Sequence, residues 1–238
     1  MKSITFFFTI CYLITYGTFA QKNINTEVYK SYDSLVGNFN KELYNGTEFT
    51  DLYLNTDGSF RYLNGFSYTS GSVTYKGAYY PDVLLRYDLL EDNLIVKSND
   101  NLSVFNVKLI PQFIDSFSLY NYNFVRLPLT NLGLKGNSFF QSAYQGKTLE
   151  LYIKHVKKKK DKALPSGLQY RFKEEYNFIL KYNATYHLIN SERELRRLFP
   201  HQKEEIKNFY RTYKILRKSN PSQFKINLIK YLDEKTSK

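Results

Sequence analysis

The sequence predicts a mostly β chain that ends in helices (α+β). Its body is an antiparallel sandwich or partly closed barrel of about ten short strands, followed by two to three short amphipathic helices. Three observations predict this class. Apolar and polar residues alternate along many brief stretches, as in Val83, Leu85, Tyr87 and Leu89 against Arg86 and Asp88. Turn signals separate those stretches at about 8 to 12 residues, which is the sandwich-or-barrel spacing. From Asn190 onward the period becomes helical.

Gly71 to Lys97 is the clearest stretch. It reads as two linked hairpins, one turning at Lys76-Gly77 and one at Glu91-Asp92-Asn93. Before it, Leu43-Tyr44-Asn45-Gly46, Asp57-Gly58 and Asn64-Gly65 are turn signals, and Phe60 to Leu63 is a short strand. After it, Ser98 to Asn101 is a polar turn and Ser103 to Leu109 alternates again until Pro111 ends it. Ser116 to Tyr120 and Tyr122 to Leu127 form a hairpin around Asn121. Asn131 to Asn137 is a loop. Phe139 to Tyr144 and Lys147 to Val156 pair across Gln145-Gly146, and Lys157 to Lys162 reads as a loop confirmed by Pro165 and Gly167. Leu168 to Phe172, Tyr176 to Lys181 and Tyr186 to Ile189 are the last strands. Ser191 followed by Glu194 is a capping box. It opens a helix with Leu195, Leu198 and Phe199 on its buried stripe, and Pro200 stops that helix. Ile206, Phe209, Tyr210 and Tyr213 recur at helical spacing. Asn220-Pro221 then caps a final helix whose buried face is Phe224, Leu228, Tyr231 and Leu232. Helices this short are unstable alone, so they must dock.

Residues 1–20 read as a secretory signal peptide. Lys2 is the positive region and Ile4 to Tyr16 the apolar run, with Thr18 and Ala20 at the −3 and −1 positions before Gln21. The run is short for a bilayer core of about 30 Å. Residues 21–42 read as a loosely ordered leading segment with a short helix near Tyr32 to Phe39, 43–189 as the antiparallel β domain, and 190–238 as a helical segment docked on it. Cys11 is the one cysteine, so the mature chain has no disulfide, no thiol nucleophile and no thiolate metal site. Net charge is +12, with 23 Tyr and 19 Phe among 238 residues. That pairing can mark a nucleic-acid binder, but an exported chain meets little nucleic acid. Strand preference accounts for the aromatics, and excess Lys keeps sheet edges soluble.

Three blocks carry a family resemblance: LYNG at Leu43 to Gly46; GSVTYKGAYYPDVLLRYDLLEDNLIV with its continuation through Asp115 to Leu119 and Phe124 to Leu127; and Phe139 onward through TYHLINSERELRRLFPHQKEEIKNFYRTYKI to Tyr231-Leu232. In these the chain resembles a family of exported Bacteroidota proteins with no established activity. The resemblance covers nearly the whole mature chain. It implies a periplasmic or outer-envelope location, a β-rich body and a C-terminal helical segment, and it carries no catalytic residue across. Family members show a glycine-aromatic start to the strand near Phe139, where this chain has Asn137-Ser138. Asp33-Ser34-Leu35 resembles the O-glycosylation acceptor of these bacteria.

No motif points to catalysis. No nucleophile elbow, phosphate loop or dinucleotide glycine pattern occurs. His155, His187 and His201 lack metal-ligand spacing and read as independent surface or rim residues, with His155 and His187 at strand ends. Asp88, Glu91 and Asp92 crowd one turn, where Asp92-Asn93 supply side-chain caps. Lys154, Lys157, Lys158, Lys159, Lys160 and Lys162 form the one sharp charge cluster. The expectation is an exported, non-catalytic envelope protein without cofactor or metal, acting as a binding or structural module for an envelope protein, glycan or anionic lipid. One alternative is binding of anionic lipid, lipopolysaccharide or polysaccharide through the Lys154 to Lys162 cluster, since each Lys near an anionic surface contributes about 1 kcal/mol. Another is a hydrolase with an unrecognised site using His155 or His187.

Overall fold

The computed structural model describes residues 42–98, 105–127, 132–134 and 139–236. The predicted leader, most of the segment 21–42, Cys11, the Asp33-Ser34-Leu35 site, Asn137-Ser138 and parts of two predicted turns lie outside them. The chain divides into two units, 1–44 and 45–238. Of the first, Glu42–Tyr44 form one 3-10 turn.

The predicted class holds for the second unit. Among the described residues eleven strands form one antiparallel sheet that does not close, and four α-helices follow. The strands are β1 (Thr47–Glu48), β2 (Thr69–Tyr75), β3 (Ala78–Asp88), β4 (Asn93–Lys97), β5 (Asn106–Lys108), β6 (Ile114–Leu119), β7 (Tyr122–Arg126), β8 (Phe139–Gln145), β9 (Leu149–Leu164), β10 (Gly167–Tyr182) and β11 (Thr185–Leu188). Their order is β1-β5-β4-β3-β2-β6-β7-β8-β9-β10-β11. The helices are α1 (Glu192–Leu198), α2 (Lys203–Thr212), α3 (Lys214–Ser219) and α4 (Pro221–Thr236).

Turn chemistry sets the hairpins. Lys76 and Gly77 both have positive φ (51° and 75°), as do Tyr120 and Asn121 (52° and 65°). Two such residues match the twist of the flanking strands. Gly71 is required for another reason, because a Cβ there would strike the Ser118 carbonyl of β6.

Two predicted elements differ. Phe60 to Leu63 is no regular strand; its backbone pairing is a single bridge of Tyr62 with Asp88, flanked by Leu63 N donating to Tyr87 O at 2.9 Å and Leu89 N donating to Arg61 O at 3.0 Å. The lysine run is no loop. β9 and β10 pair without interruption from Leu149↔Tyr182 to Leu164↔Gly167. The long hairpin survives its lysines because β-structure constrains only alternate faces, and Phe172, Glu174 and Tyr170 supply partners for one of them.

Side chains curl the open sheet. β8 pairs with β9 only as far as Ile153. Beyond that point the β3–β4 turn takes over, Lys157 N donating to Leu89 O at 3.0 Å. The contact is locked by Lys154, 2% exposed, whose Nζ binds Asp92 and donates to Phe139 O at 3.1 Å; the Tyr87 hydroxyl donates to the same Asp92. A second buried pair stands beside it, the Arg61 guanidinium gripping Asp88 through Nε at 3.0 Å and a terminal nitrogen. Asp88 Oδ1 also accepts Leu90 N at 3.0 Å. The predicted turn at Asp88, Glu91 and Asp92 is present, but two of its carboxylates face inward as halves of ion pairs. Around them Phe117 and Phe124 stack at 4.6 Å, with Tyr87 edge-on to both at 5.1 Å.

The helices cover the other part of the sheet. Leu149, Leu151, Ile153, Phe178, Leu180 and Ile189 meet Leu195, Ile206, Phe224, Leu228, Ile229 and Leu232. The predicted capping box is present, with Ser191 Oγ accepting from Glu194 N at 3.2 Å and Glu194 Oε2 accepting from Ser191 N at 2.7 Å. Asn220 Oδ1 caps α4 by accepting from Gln223 N at 3.0 Å. Asp233 pins α4 to the β8–β9 turn. Its carboxylate accepts from the backbone N–H groups of Lys147 (2.8 Å), Thr148 (2.9 Å) and Leu149 (2.9 Å), and from the Tyr144 hydroxyl (2.9 Å). Burial raises the Asp233 pKa, but these donors outweigh it and hold the carboxyl at about 2.

A folded pKa of about 2, below the ordinary value of 3.8, gives stability that is present above pH 3.8 and lost as pH falls through 2. Asp233→Asn is expected to lower unfolding stability by about 2 kcal/mol at neutral pH and to flatten the acid limb, read by urea titration across pH. Lys225 has the opposite sign. Buried in α4 with Nζ donating to Tyr210 Oη at 2.8 Å, it is pulled down by burial to about 7. Its cost is complete below pH 7 and fades as pH rises toward 10.5. Lys225→Met is therefore expected to stabilise by about 2 kcal/mol below pH 7, the gain shrinking in alkali.

Candidate functional site

The lysine run lies along β9, and strand alternation sorts it. Lys154 and Lys157 are 2% and 8% exposed. Lys154 belongs to the buried pair described above. Lys157 Nζ is 3.4 Å from Glu174 Oε2 and 4.9 Å from the Phe60 ring centroid. Lys159 lies between the Tyr53 and Tyr170 rings at 4.8 and 5.0 Å and bonds Asp161 at 3.0 Å. Of the six predicted binding residues, these three are committed within the fold.

Lys158, Lys160 and Lys162 are exposed on the face opposite to Lys157 and Lys159; by alternation Lys154 belongs to that same face, where Asp92 covers it. Across the ladder Lys158 stands opposite Lys173 and Lys160 opposite Arg171. Like charges placed directly opposite destabilise a sheet, so five cations gather on one face of two strands at a cost. Glu175 tempers them, 2.5 Å from Lys158 and 3.8 Å from Lys173, and Arg171 reaches Asp57. Among the described residues Lys160 and Lys162 make no ion pair within 4 Å. The tip of the same hairpin is apolar. Leu168 is 52% exposed, and Leu54 beside it is 81% exposed. Asn55 holds the two segments together, its Nδ2 donating to Leu168 O at 2.8 Å and its carbonyl accepting from Tyr170 N at 2.9 Å. Arg171, Lys173 and the leucines were missed as site residues. The signal for the basic pair was their symmetry with Lys160 and Lys158 about the Pro165-Ser166 turn, which shows only once the run is read as a strand.

The histidines do not converge. His155 is mid-strand and 5% exposed, which corrects the rim placement. Its Nε2 meets Gln141 Oε1 at 2.7 Å, and Nδ1 lies 3.7 Å from Glu174 Oε1. Its β10 partner is Tyr176, whereas His187 pairs with Leu180, four residues or about 13 Å further along. His187 lines a separate cleft with Glu194 and Arg197, and His201 is exposed. Burial pushes the Glu174 carboxyl up, but His155, Lys157 and Tyr176 together hold it at about 2. Gln141, His155, Glu174 and Tyr176 line a cleft of about 300 Å³ that the start of α4 closes on one side. Among the described residues no group of three or more His, Cys, Asp or Glu side chains is gathered as metal ligands, and no helix is long and apolar enough to cross a membrane.

Comparison of the chain with models of protein families, with curated proteins and with solved structures finds no match.

Because the Glu174 pKa falls from 4.5 to about 2 on folding, its contribution is present above pH 4.5 and disappears as pH drops through 2. About a third of the side chain is in water, so Glu174→Gln is expected to cost only about 1 kcal/mol at neutral pH. The difference from the parent protein should vanish near pH 2 in urea titrations.

Proposed function

We propose that this protein is an exported, non-catalytic envelope module that docks on an anionic lipid surface through the far end of the β9–β10 hairpin. The observation that carries this reading is the cross-strand register that sets Lys158, Lys160 and Lys162 beside Arg171 and Lys173 on one exposed face. Such a face is unfavourable alone and becomes favourable against headgroup phosphates, at about 1 kcal/mol per basic side chain. The exposed Leu54 and Leu168 at the tip favour a lipid over a soluble acidic polymer, since apolar groups gain by entering the acyl boundary. The leader reading of residues 1–20 and the family resemblance support an envelope location. Lys154 and Lys157 hold the hairpin in place and stay out of the contact.

Vesicle co-sedimentation tests the reading. The protein is expected to bind phosphatidylglycerol-containing vesicles and to leave neutral phosphatidylcholine vesicles. The Lys158→Gln, Lys160→Gln, Lys162→Gln variant should fold normally, lose about a hundredfold in affinity at low salt and show a flatter salt dependence. Leu54→Ser with Leu168→Ser should weaken binding at every salt concentration. Equal affinity of parent and lysine variant, or preference for a soluble acidic polysaccharide over the vesicles, would sink the proposal.

A further inference from the structure

The cleft under the start of α4 carries polar groups that neither the basic face nor the packing uses. Gln141, His155 and Tyr176, on three adjoining strands, form its floor, with Tyr122 of β7 beside them, and Asn220 to Gln223 form a wall. Among the described residues two buried atoms at it lack a close hydrogen bond: Nδ1 of His155, which faces Glu174 Oε1 only at 3.7 Å, and Oγ of Ser222, set near Tyr176. Buried polar atoms are normally satisfied, so a pair at one cleft points to a ligand. The amides beside them are half used. Gln141 commits its carbonyl oxygen to His155, and Asn220 commits its own to Gln223 N, which leaves both NH2 groups as donors. Gln223 commits its NH2 to Asn227 at 2.8 Å, which leaves its carbonyl as an acceptor.

We infer that this cleft binds one neutral sugar residue. Each hydroxyl of a pyranose both donates and accepts, which suits a mixed set of amide donors, an amide acceptor, a serine hydroxyl and an imidazole nitrogen. The C–H face of the ring suits the tyrosine rings of Tyr122 and Tyr176. Fixed charge narrows the choice. Glu174 repels an anionic ligand, while Lys157 and the positive end of α4 repel a cationic one. The Lys157–Glu174 pair, at 3.4 Å, leaves little net charge at the cleft. Leu63, Pro221 and Ile226 are the aliphatic side chains of the wall, too few to hold an acyl chain. The site is separate from the basic face, and sugar binding is expected to persist in the lysine variant.

Saturation-transfer difference NMR on the full chain tests it, with glucose, galactose, mannose and N-acetylglucosamine beside glucuronate and glucosamine. At least one neutral sugar is expected to give transfer, and the two charged sugars none. Gln223→Trp places an indole in the cleft from an exposed helix position and should abolish the signal while the circular dichroism spectrum stays unchanged. Ser222→Ala should weaken binding about three- to tenfold. No transfer from any neutral sugar, preference for a charged one, or binding that survives in folded Gln223→Trp would overturn the inference.

Discussion

The ion pair of Lys154 with Asp92 is the constraint on which the arrangement turns. It joins side chains 62 positions apart and holds the β3–β4 turn against β9, where the sheet has no strand pairing to close it. Buried pairs add little net stability over a well-packed apolar replacement, yet removing one partner leaves a charge stranded at a cost of about 3 to 5 kcal/mol. Their contribution is geometric. Burial lowers the Lys154 pKa and Asp92 counters it; Tyr87 and the Phe139 carbonyl complete the coordination. With Arg61 on Asp88 alongside, the curl is specified by hydrogen-bonded charge.

That constraint also divides the lysine run. A charge cluster in sequence is one feature, but on a strand it becomes two faces. The face with Lys157 and Lys159, turned toward Glu174 and the tyrosines, is used for packing. The other face binds Asp92 through Lys154 and, further along the strand, leaves Lys158, Lys160 and Lys162 exposed. The hairpin carries both, so its rigidity and its display have the same origin.

Much of the fold was legible because its signals are local. Lys76-Gly77, Asn121, the Ser191–Glu194 box and Asn220-Pro221 each act within four residues, and each appears where expected. What escaped depends on distant partners. The run from Lys157 to Lys162 resembles a loop until Glu174 and Phe172 are set opposite it. Phe60 to Leu63 carries strand chemistry but bonds β3 at too few points to form a ladder. Asp88 and Asp92 have turn-like spacing, and nothing beside them in sequence announces Arg61 or Lys154. For the site, three of six lysines were legible as exposed cations. His155 was visible as a residue, but its burial and its neighbours Gln141, Glu174 and Tyr176 come from three-strand assembly.

The carboxylate that pins α4 bears on the order in which the molecule is completed. Asp233 satisfies the amides of a turn 85 residues earlier in the chain. During synthesis β8 and β9 emerge long before it, with the turn uncapped and Leu149, Leu151 and Ile153 lacking their helical cover. Contacts of such long sequence separation form slowly, and an uncovered apolar strand face is what holdase chaperones grip and what aggregates. The nascent chain therefore passes through a stage that is sheet-like but sticky, and arrival of the last helix ends it.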